Sequence, residues 1–399
     1  MKKTFIWLGA LVLGALLGLS DLAWLNEAME FTADVFTRLF QLLSAPTIVL
    51  AVVTTLAGMG RGSGAGRLFR RTLGYTLLTT VAAAAVGAAL YLAVSPTPPE
   101  VEAQAGNALL DASGAEGSYA EHILNVIPNN IVRPLLEGNV LSLLLLAFAV
   151  GVGLSHMPES ENRTVVLRGL YGLQELLFLL IRGLIWALPL GIVAFSARLS
   201  AQMAAGVVAG ALGRYVLVVL VGNAIQFFVV LPLLLLSHGL NPLKVLSAMS
   251  PAVLTALFTK SSAATLPVTV ESAQDRLGVR SEVARFVLPI CCTINMNGCA
   301  AFILVTSLFV MQSGGMPITM GTILLWLLIS VVSAVGNAGV PMGCFFLTFS
   351  LMSGIGAPVD VLGLILPVYT VIDMVETAEN VWSDSCVCAV VDSETRQIP

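Results

Sequence analysis

The sequence predicts an all-α protein that lies in a membrane and crosses it many times. Of its 399 residues, 57% are apolar and 11% are charged, whereas an ordinary soluble domain carries about 25% charged residues. The apolar residues recur along the whole chain in runs of about 20, the length of a membrane-spanning helix. Such a chain cannot cover itself with a wetted surface, so we expect one membrane-embedded body rather than a soluble domain with an anchor.

The apolar runs give the order of the expected helices. We expect helices near 4–20, 37–58, 73–94, 140–156, 173–197 and 207–236, followed by a region from 243 to 391 that glycine and proline interrupt. The first run follows Lys2 and Lys3 as the core of a signal peptide would, but no small-residue cleavage box comes after it, and we interpret it as the first span. The six cysteines lack C-x-x-C spacing and are expected to be small packing residues. They are Cys291, Cys292, Cys299, Cys344, Cys386 and Cys388.

The segments between the runs alternate in charge and predict the topology. The segment 21–36 carries acids and no base, whereas the loop 59–72 carries arginines and no acid. Basic short loops stay in the cytoplasm, so 21–36 is expected to be an external loop. The stretch 95–127, with five acids and no base, is expected to be a second one. We therefore predict a multi-pass protein of the cell inner (plasma) membrane with both termini in the cytoplasm.

Two segments of the C-terminal region each contain two apolar arms that are too short to cross the bilayer. In 253–270 the arms flank a polar tip in VLTALFTKSSAATLPVTV, and in 324–353 they flank VGNAGVP. By charge, the first segment enters from the cytoplasm and the second from outside. Paired, interrupted segments of this kind are typical of a transporter binding site, because non-helical backbone at membrane depth must line an enclosed cavity. The alternative is two kinked helices with glycine and proline placed for packing.

The span 286–311 between these segments carries two amides and a glycine in the sequence TINMNG. Local unwinding there would release backbone carbonyls, and hard oxygen ligands of this kind suit a small cation. The alternative is that the amides hydrogen-bond between helices.

The last apolar segment places several polar groups on one stripe of a helix. They are Asp373, Glu376, Thr377, Asn380 and Asp384, and their offsets cover an arc of about 100°. A carboxylate at the bilayer centre costs about 2.5–3.5 kcal/mol on insertion scales, so three of them require a cavity, a cation or a proton. The other faces of this segment are too apolar for an amphipathic tail outside the bilayer. Glu379 lies off the stripe, and the sequence names no partner for it.

Four motifs stand in order along the chain: TKSSAATLPVT, TINMNG, NAGVP and DMVETAENVWSD. Together with IPNN and EGNVLSLLL around Pro128 and Val140, they resemble the glutamate-transporter family of dicarboxylate and amino-acid:cation symporters. The resemblance covers most of the chain apart from the loop 95–127. The last helix is most similar to the bacterial serine/threonine:sodium subgroup.

The resemblance implies eight transmembrane helices and two re-entrant helical hairpins, built as inverted repeats and assembled as a homotrimer in lipid. A transport domain would move like an elevator against a static scaffold. The transport domain would contain mainly 73–94 and 243–391, with hairpin one at about 243–270, helix seven at about 283–312, hairpin two at about 320–356 and helix eight at about 359–391. The scaffold would contain mainly 37–58, 140–172 and 173–204.

The resemblance also implies the substrate contacts. Asp373 would bind the substrate ammonium, Asn380 and Ser262 its carboxylate, and charge-assisted hydrogen bonds suit both roles. The remaining positions that would line or cover the pocket are Cys299, Gly339, Val340, Glu376 and Thr377.

For the coupling ions, the resemblance implies between one and three sodium ions. Asp384 with Asn380 and the Asn295 backbone resembles one site, and carbonyls of Thr293 and of the second hairpin, including Asn337, resemble another. A third site would use Thr79, Thr80, Asn295 and an aspartate that is Asn297 here. This asparagine removes a negative charge and weakens the third site.

Selectivity depends on Glu376, which stands where dicarboxylate carriers of the family place an arginine. A glutamate would repel aspartate and glutamate. We therefore expect sodium-coupled import of a small neutral amino acid, serine or threonine, with Glu376 accepting a hydrogen bond from the substrate hydroxyl. The alternative is a carrier of lysine or arginine with Glu376 as counter-ion.

Proteins of other classes could also place polar groups at membrane depth. An anion channel is one alternative, although a pore would not need two opposed hairpins around a charged helix. An intramembrane hydrolase could use Ser261 or Ser262 with Lys260 as base, but the chain has no G-x-S-x-G element, and we expect no enzyme activity. The basic residues form no continuous patch for nucleic acid.

Overall fold

A computed structural model describes residues 2–20, 22–58, 66–96, 127–132, 134, 140–202, 205–335, 337 and 342–396. The described residues form α-helices and two π-helical turns, and no strand occurs among them. The prediction of an all-α protein is therefore confirmed. Gly339, Val340 and most of the expected loop 95–127 lie outside the described residues.

The first half of the chain contains long helices. They are α1 (Lys2–Gly18), α2 (Ala23–Gly58), α3 (Gly66–Val94), α4 (Val140–His156) and α5 (Glu161–Gln202). The expectation of a loop over 21–36 is wrong, because α2 begins at Ala23. Its acids recur every three or four residues and so share a helix face, where Asp34 Oδ1 lies 2.9 Å from Arg198 Nη1 of α5. The span expected at 173–197 likewise begins earlier, at Glu161.

A π-helical turn interrupts the span expected at 207–236. The chain forms α6 (Ala205–Ile225), the π-turn Gln226–Val230 and α7 (Leu231–Ser237). Each backbone hydrogen bond of a π-turn spans one more residue than a hydrogen bond of an α-helix. Such turns are rare in proteins, and those that occur are often found at functional sites.

The polar tip at Lys260 and Ser261 separates two helices, α8 (Pro242–Thr259) and α9 (Ser262–Glu271), the latter followed by the π-turn Ser272–Arg276. Asn241 begins α8 by accepting hydrogen bonds from the Leu243 and Lys244 amides, and Pro242 suits the first helical position. Lys260 ends α8 in a left-handed conformation at φ 56°. The Ser261 side chain then caps α9 by accepting from the Ala264 amide at 3.2 Å.

The TINMNG segment breaks a long buried helix. Helix α10 (Ser281–Ile294) ends before Asn295, and α11 (Asn297–Ser313) begins after Met296. Two shorter helices, α12 (Met320–Val335) and α13 (Gly343–Gly354), precede the last helix, α14 (Asp360–Arg396). Helix α14 bends by 68° between Leu366 and Val368, where the sequence carries a proline.

The helices pack in two groups. Helices α1, α2, α4 and α5 pack mainly on one another, whereas α3 and α6 to α14 surround the break in the buried α10–α11 pair. Contacts of α14 with α5 and of α13 with α2 join the groups. Five described helices are long and apolar enough to cross a membrane, or six with the bent α14 counted as one. The number of eight spans stays a prediction.

Candidate substrate and cation site

The polar stripe of α14 is buried inside the protein. All five of its side chains are at most 6% exposed, and so is Glu379 on the neighbouring face. The stripe faces the break between α10 and α11 and the residues that precede α9 and α13. This arrangement brings most of the site residues expected from the sequence together.

Two carboxylates, those of Asp373 and Glu376, lie at the N-terminal end of the stripe. The Tyr369 hydroxyl donates to Asp373 Oδ1 at 3.4 Å and to Glu376 Oε2 at 3.5 Å. The other oxygen of each carboxylate is buried and has no hydrogen-bond partner among the described residues. A buried carboxylate oxygen without a donor is costly, so this end of the stripe is suited to a ligand that brings donors.

Asp373 interacts with the residues that precede α9 and α13. The Met342 backbone amide donates a hydrogen bond to it, and the Lys260 ammonium acts on it electrostatically. Met342 precedes α13 and Lys260 precedes α9. Ser262, which begins α9, is buried at 3% exposure, as expected for a residue that lines a closed site.

The interpretation of all six cysteines as packing residues is wrong for two of them. Cys299 of α11 and Cys344 of α13 form a disulfide, because the second hairpin packs directly on α11. Their sulfur atoms and a Glu376 carboxylate oxygen all lie within 4.8 Å of one another. Asn337 Nδ2 donates to Cys299 Sγ at 2.9 Å and approaches Cys344 Sγ at 3.3 Å. The bridge therefore forms one wall beside Glu376.

Gly298 allows α11 to approach α14 closely. Its amide donates to Asn380 Oδ1 at 3.0 Å. A methyl group on Gly298 would lie 2.9 Å from the Glu376 Cα, closer than real Cβ atoms approach, and 3.1 Å from Asn223 Oδ1, closer than most do. Thr377, one turn before Asn380, donates its hydroxyl to the Asp373 carbonyl at 2.7 Å.

A second polar group, which we call the Asn297 cluster, lies at the other end of the stripe. It comprises Thr79, Thr80, Asn295, Asn297, Ser383 and Asp384. Thr79 donates to Asn295 Oδ1 at 3.1 Å and Thr80 to Asn297 Oδ1 at 2.9 Å. Asn295 Nδ2 donates to Ser383 and Asp384, both at 2.9 Å, and Asn297 Nδ2 to Ser383 at 2.7 Å. Both amide groups are thus paired on both sides.

The fit to a hard cation differs among the predicted ion ligands. Asp384 supplies a carboxylate next to the broken backbone at Asn295, which suits sodium. At Thr293 the predicted ligand is the backbone carbonyl; its hydroxyl donates to the Ile290 carbonyl at 2.8 Å and is satisfied within its own helix. The four predicted ligands of the third site already pair with one another and with Ser383, in accordance with a site weakened by the loss of a charge at Asn297.

The sequence pattern of the sodium:dicarboxylate symporter family matches residues 4–394. The chain belongs to this family. Its residues therefore form a multi-pass amino-acid transporter, not an enzyme. Ser261 caps α9, and the Lys260 ammonium acts electrostatically on Asp373.

Relatives named for different substrates match nearly the whole chain. Excitatory amino acid transporter 2 of Rattus norvegicus is 28% identical over 91% of this chain and 72% of its own length. Neutral amino acid transporter B(0) of Homo sapiens is 30% identical over 90% of this chain and 72% of its own length. Neutral amino acid transporter A of Homo sapiens is 28% identical, with coverages of 94% and 78%. Family membership therefore leaves the substrate to be argued from the site.

Several site residues are missing from the sequence-based prediction. Tyr369 and Ser383 lie on α14 next to residues that the polar stripe identified. Asn223 and Gln226 stand three residues apart in the apolar run VVLVGNAIQFFVV. Because helical residues three apart share a face, this spacing was the available signal.

Proposed function

We propose that the protein is a sodium-coupled symporter that imports serine or threonine by an elevator-type alternating-access movement. The observation that carries the proposal is the environment of Glu376. This carboxylate is 1% exposed, Tyr369 reaches one of its oxygens, and the other has no partner among the described residues. A buried negative charge here disfavours a second substrate carboxylate and provides an acceptor for a hydroxyl group.

The remaining groups of the site suit the two ends of an amino acid. Asp373 would bind the substrate ammonium, which would take over from Lys260 as its cationic neighbour. Ser262 and Asn380 would bind the substrate carboxylate, with Thr377, Cys299, Gly339 and Val340 around the substrate. Charge-assisted hydrogen bonds of this kind are the strong ones in a buried site.

The wall next to Glu376 favours a short side chain over lysine or arginine. The Cys299–Cys344 bridge lies within 4.8 Å of the Glu376 carboxylate, and Asn337 packs on the same sulfur atoms. A hydroxymethyl group needs little room between them. A lysine or arginine side chain adds several more heavy atoms beside the same wall.

The separation of the helices into two packing groups supports an elevator movement. The group that contains α3 and α6 to α14 would carry the substrate, and the group of α1, α2, α4 and α5 would be the static scaffold. A homotrimer in the plasma membrane, with both termini in the cytoplasm, completes the proposal.

One or two sodium ions supply enough energy for this transport. One monovalent cation gains about 2.3 kcal/mol per 100 mV of membrane potential, and a tenfold gradient adds about 1.4 kcal/mol. Together these support an accumulation of roughly 500-fold for a neutral substrate. The Asp384 and Asn337 sites are therefore sufficient in principle.

Uptake into proteoliposomes tests the proposal. Labelled serine, threonine, lysine, arginine and aspartate would be compared with and without an inward sodium gradient. We expect accumulation of serine or threonine that requires sodium. Uptake of lysine or arginine would make Glu376 a counter-ion, and serine uptake without any sodium dependence would contradict the ion assignments around Asp384.

A further inference from the structure

Four buried oxygen atoms of α6, α14 and the first π-turn have no hydrogen-bond donor among the residues that the structure describes. They are both carboxylate oxygens of Glu379, Oδ1 of Asn223 and Oε1 of Gln226. All three residues are 1% exposed. No described residue donates a hydrogen bond to any of these atoms, and no described basic side chain forms a salt bridge with Glu379. We call these three residues the Glu379 junction.

Two contacts between α14 and the α6 segment, one before and one after Glu379 along α14, place the three side chains at the same height along these helices. A methyl group on Gly298 would touch both the Glu376 Cα and Asn223 Oδ1, so Asn223 faces α14 beside Glu376. Two turns further along α14, Trp382 Nε1 donates to the Phe227 carbonyl at 3.1 Å. Helix α14 and the α6 segment therefore run in the same direction here. Glu379 lies between these two contacts on α14, as Gln226 does on the facing segment.

The amide nitrogen atoms of the junction are already engaged elsewhere. Asn223 Nδ2 donates to the Val219 carbonyl at 2.7 Å, and Gln226 Nε2 donates to the Thr79 carbonyl at 3.1 Å. These hydrogen bonds fix the orientation of both amide groups and leave their oxygens without a hydrogen-bond donor among the described residues. The junction thus offers one carboxylate and two neutral oxygens, and the described residues supply nothing positive.

The π-turn begins within the junction, at Gln226. The wider turn shifts the backbone bonding so that the Leu231 amide donates to the Gln226 carbonyl, while the Phe227 carbonyl accepts from the Trp382 indole. Distortions of this type inside a helix are frequent at functional sites. Here the distortion fixes α14 against the segment that carries the two amides.

We propose that Glu379, Asn223 and Gln226 bind a sodium ion. Hard oxygen ligands suit such a cation, and the single carboxylate balances one positive charge. The inference deepens the proposed sodium-coupled transport by adding an ion site outside the positions of Asp384, Asn337 and the Asn297 cluster.

A hydrogen-bonded chain links this junction to the rest of the ion machinery. Gln226 bonds the Thr79 backbone, the Thr79 hydroxyl bonds Asn295, and Asn295 bonds Asp384. An ion that orients Gln226 therefore acts on the residues that hold Asp384. This connection makes the junction ion part of the coupling, bound and released with the transport cycle.

The first test counts sodium ions in transport. In proteoliposomes, the accumulation ratio of serine is measured against the sodium gradient at zero membrane potential, for the parent and for Glu379→Gln. The substitution keeps the shape of the side chain and removes its charge. We expect the slope of log accumulation on log sodium gradient to fall by one. Glu271→Gln, the same change at an exposed carboxylate, should keep the parent slope.

An unchanged slope in Glu379→Gln would overturn the junction site while leaving sodium-coupled transport intact. So would a variant that keeps its sodium number and instead loses a dependence on external pH, because the ligand would then be a proton. A parent that accumulates none of the tested amino acids with sodium would contradict the proposed function separately.

A second measurement is independent of transport. Sodium binding to the purified full-length protein is followed by calorimetry without substrate. We expect Glu379→Gln to bind one sodium fewer than the parent. Gln226→Leu should weaken sodium binding at least about tenfold, the lower end of the loss seen when even an outer-shell partner of a metal is removed. Equal sodium binding in parent and both variants would overturn the site.

Discussion

Two polar groups lie within a few turns of each other along α14, and they differ in how their atoms are paired. In the Asn297 cluster, each amide oxygen accepts from a threonine and each amide nitrogen donates to Ser383. In the Glu379 junction, four oxygens have no hydrogen-bond donor in the described part of the chain. Similar burial therefore has different consequences: the first group is complete by itself, whereas the second requires a cation.

The position of Asn297 gives this difference its meaning. Within the resemblance, an aspartate would stand here and hold a sodium ion. The asparagine instead donates to Ser383 at 2.7 Å, which a carboxylate could not do. On our account, the negative charge absent from Asn297 is supplied by Glu379 at the neighbouring junction.

The largest effect is expected from Gly298, which separates Glu376 from Asn223. In Gly298→Ala, the new methyl group would meet the α14 backbone at 2.9 Å, and overpacking of this kind costs about 1–3 kcal/mol. We expect a lower unfolding temperature in detergent and a loss of serine uptake. Gly74→Ala is the matched control, since nothing lies within 4 Å of its added methyl group. Normal uptake by Gly298→Ala would show that the close approach is dispensable.

Opposite stability changes are expected at Ser383 and Glu379 in sodium-free buffer. Ser383→Ala removes the acceptor shared by Asn295 and Asn297, and an unsatisfied buried donor costs about 1–3 kcal/mol. Glu379→Gln removes an unpaired buried charge and should leave stability equal or higher. Thermal unfolding of both variants in detergent checks the sign. A destabilised Glu379→Gln without sodium would mean that this carboxylate has a structural partner.

Moving the charge between the two groups should move the ion site with it. In Asn297→Asp/Glu379→Gln, the Asn297 cluster would gain the carboxylate that the junction loses. We expect the double variant to regain the sodium number of the parent, measured as the slope of serine accumulation on the sodium gradient. A double variant with the lower slope of Glu379→Gln would show that the two positions are not interchangeable.

The smallest effect is expected at Thr377. Its hydroxyl is bonded to the Asp373 carbonyl within α14, so Thr377→Val should lower the free energy of unfolding by about 0.5–1.5 kcal/mol. Serine uptake should keep its sodium dependence, with a modest rise in KM. Complete loss of uptake would give Thr377 a direct role in substrate binding.

Features that repeat along one helix could be predicted from the sequence, whereas features that depend on contacts between helices could not. Periodicity identified the α14 stripe, and composition identified the all-α membrane fold. The Cys299–Cys344 bridge was missed because the two cysteines stand 45 residues apart and only the packing of α13 on α11 joins them. No partner for Glu379 could be predicted for a related reason. Asn223 and Gln226 lie far from it along the chain, and the π-turn that begins at Gln226 has no sequence signature of its own. The helical start of α2 at Ala23 was missed because its acids resemble a loop by composition alone.

Replacement of Glu376 shows directly whether a buried carboxylate on α14 sets the substrate preference. Uptake of labelled serine and aspartate is measured with a sodium gradient in proteoliposomes that contain the parent or Glu376→Arg. We expect the parent to prefer serine and the variant to shift towards aspartate, because a guanidinium binds a second carboxylate. A variant that folds and transports with the parent's order of substrates would contradict the role of Glu376.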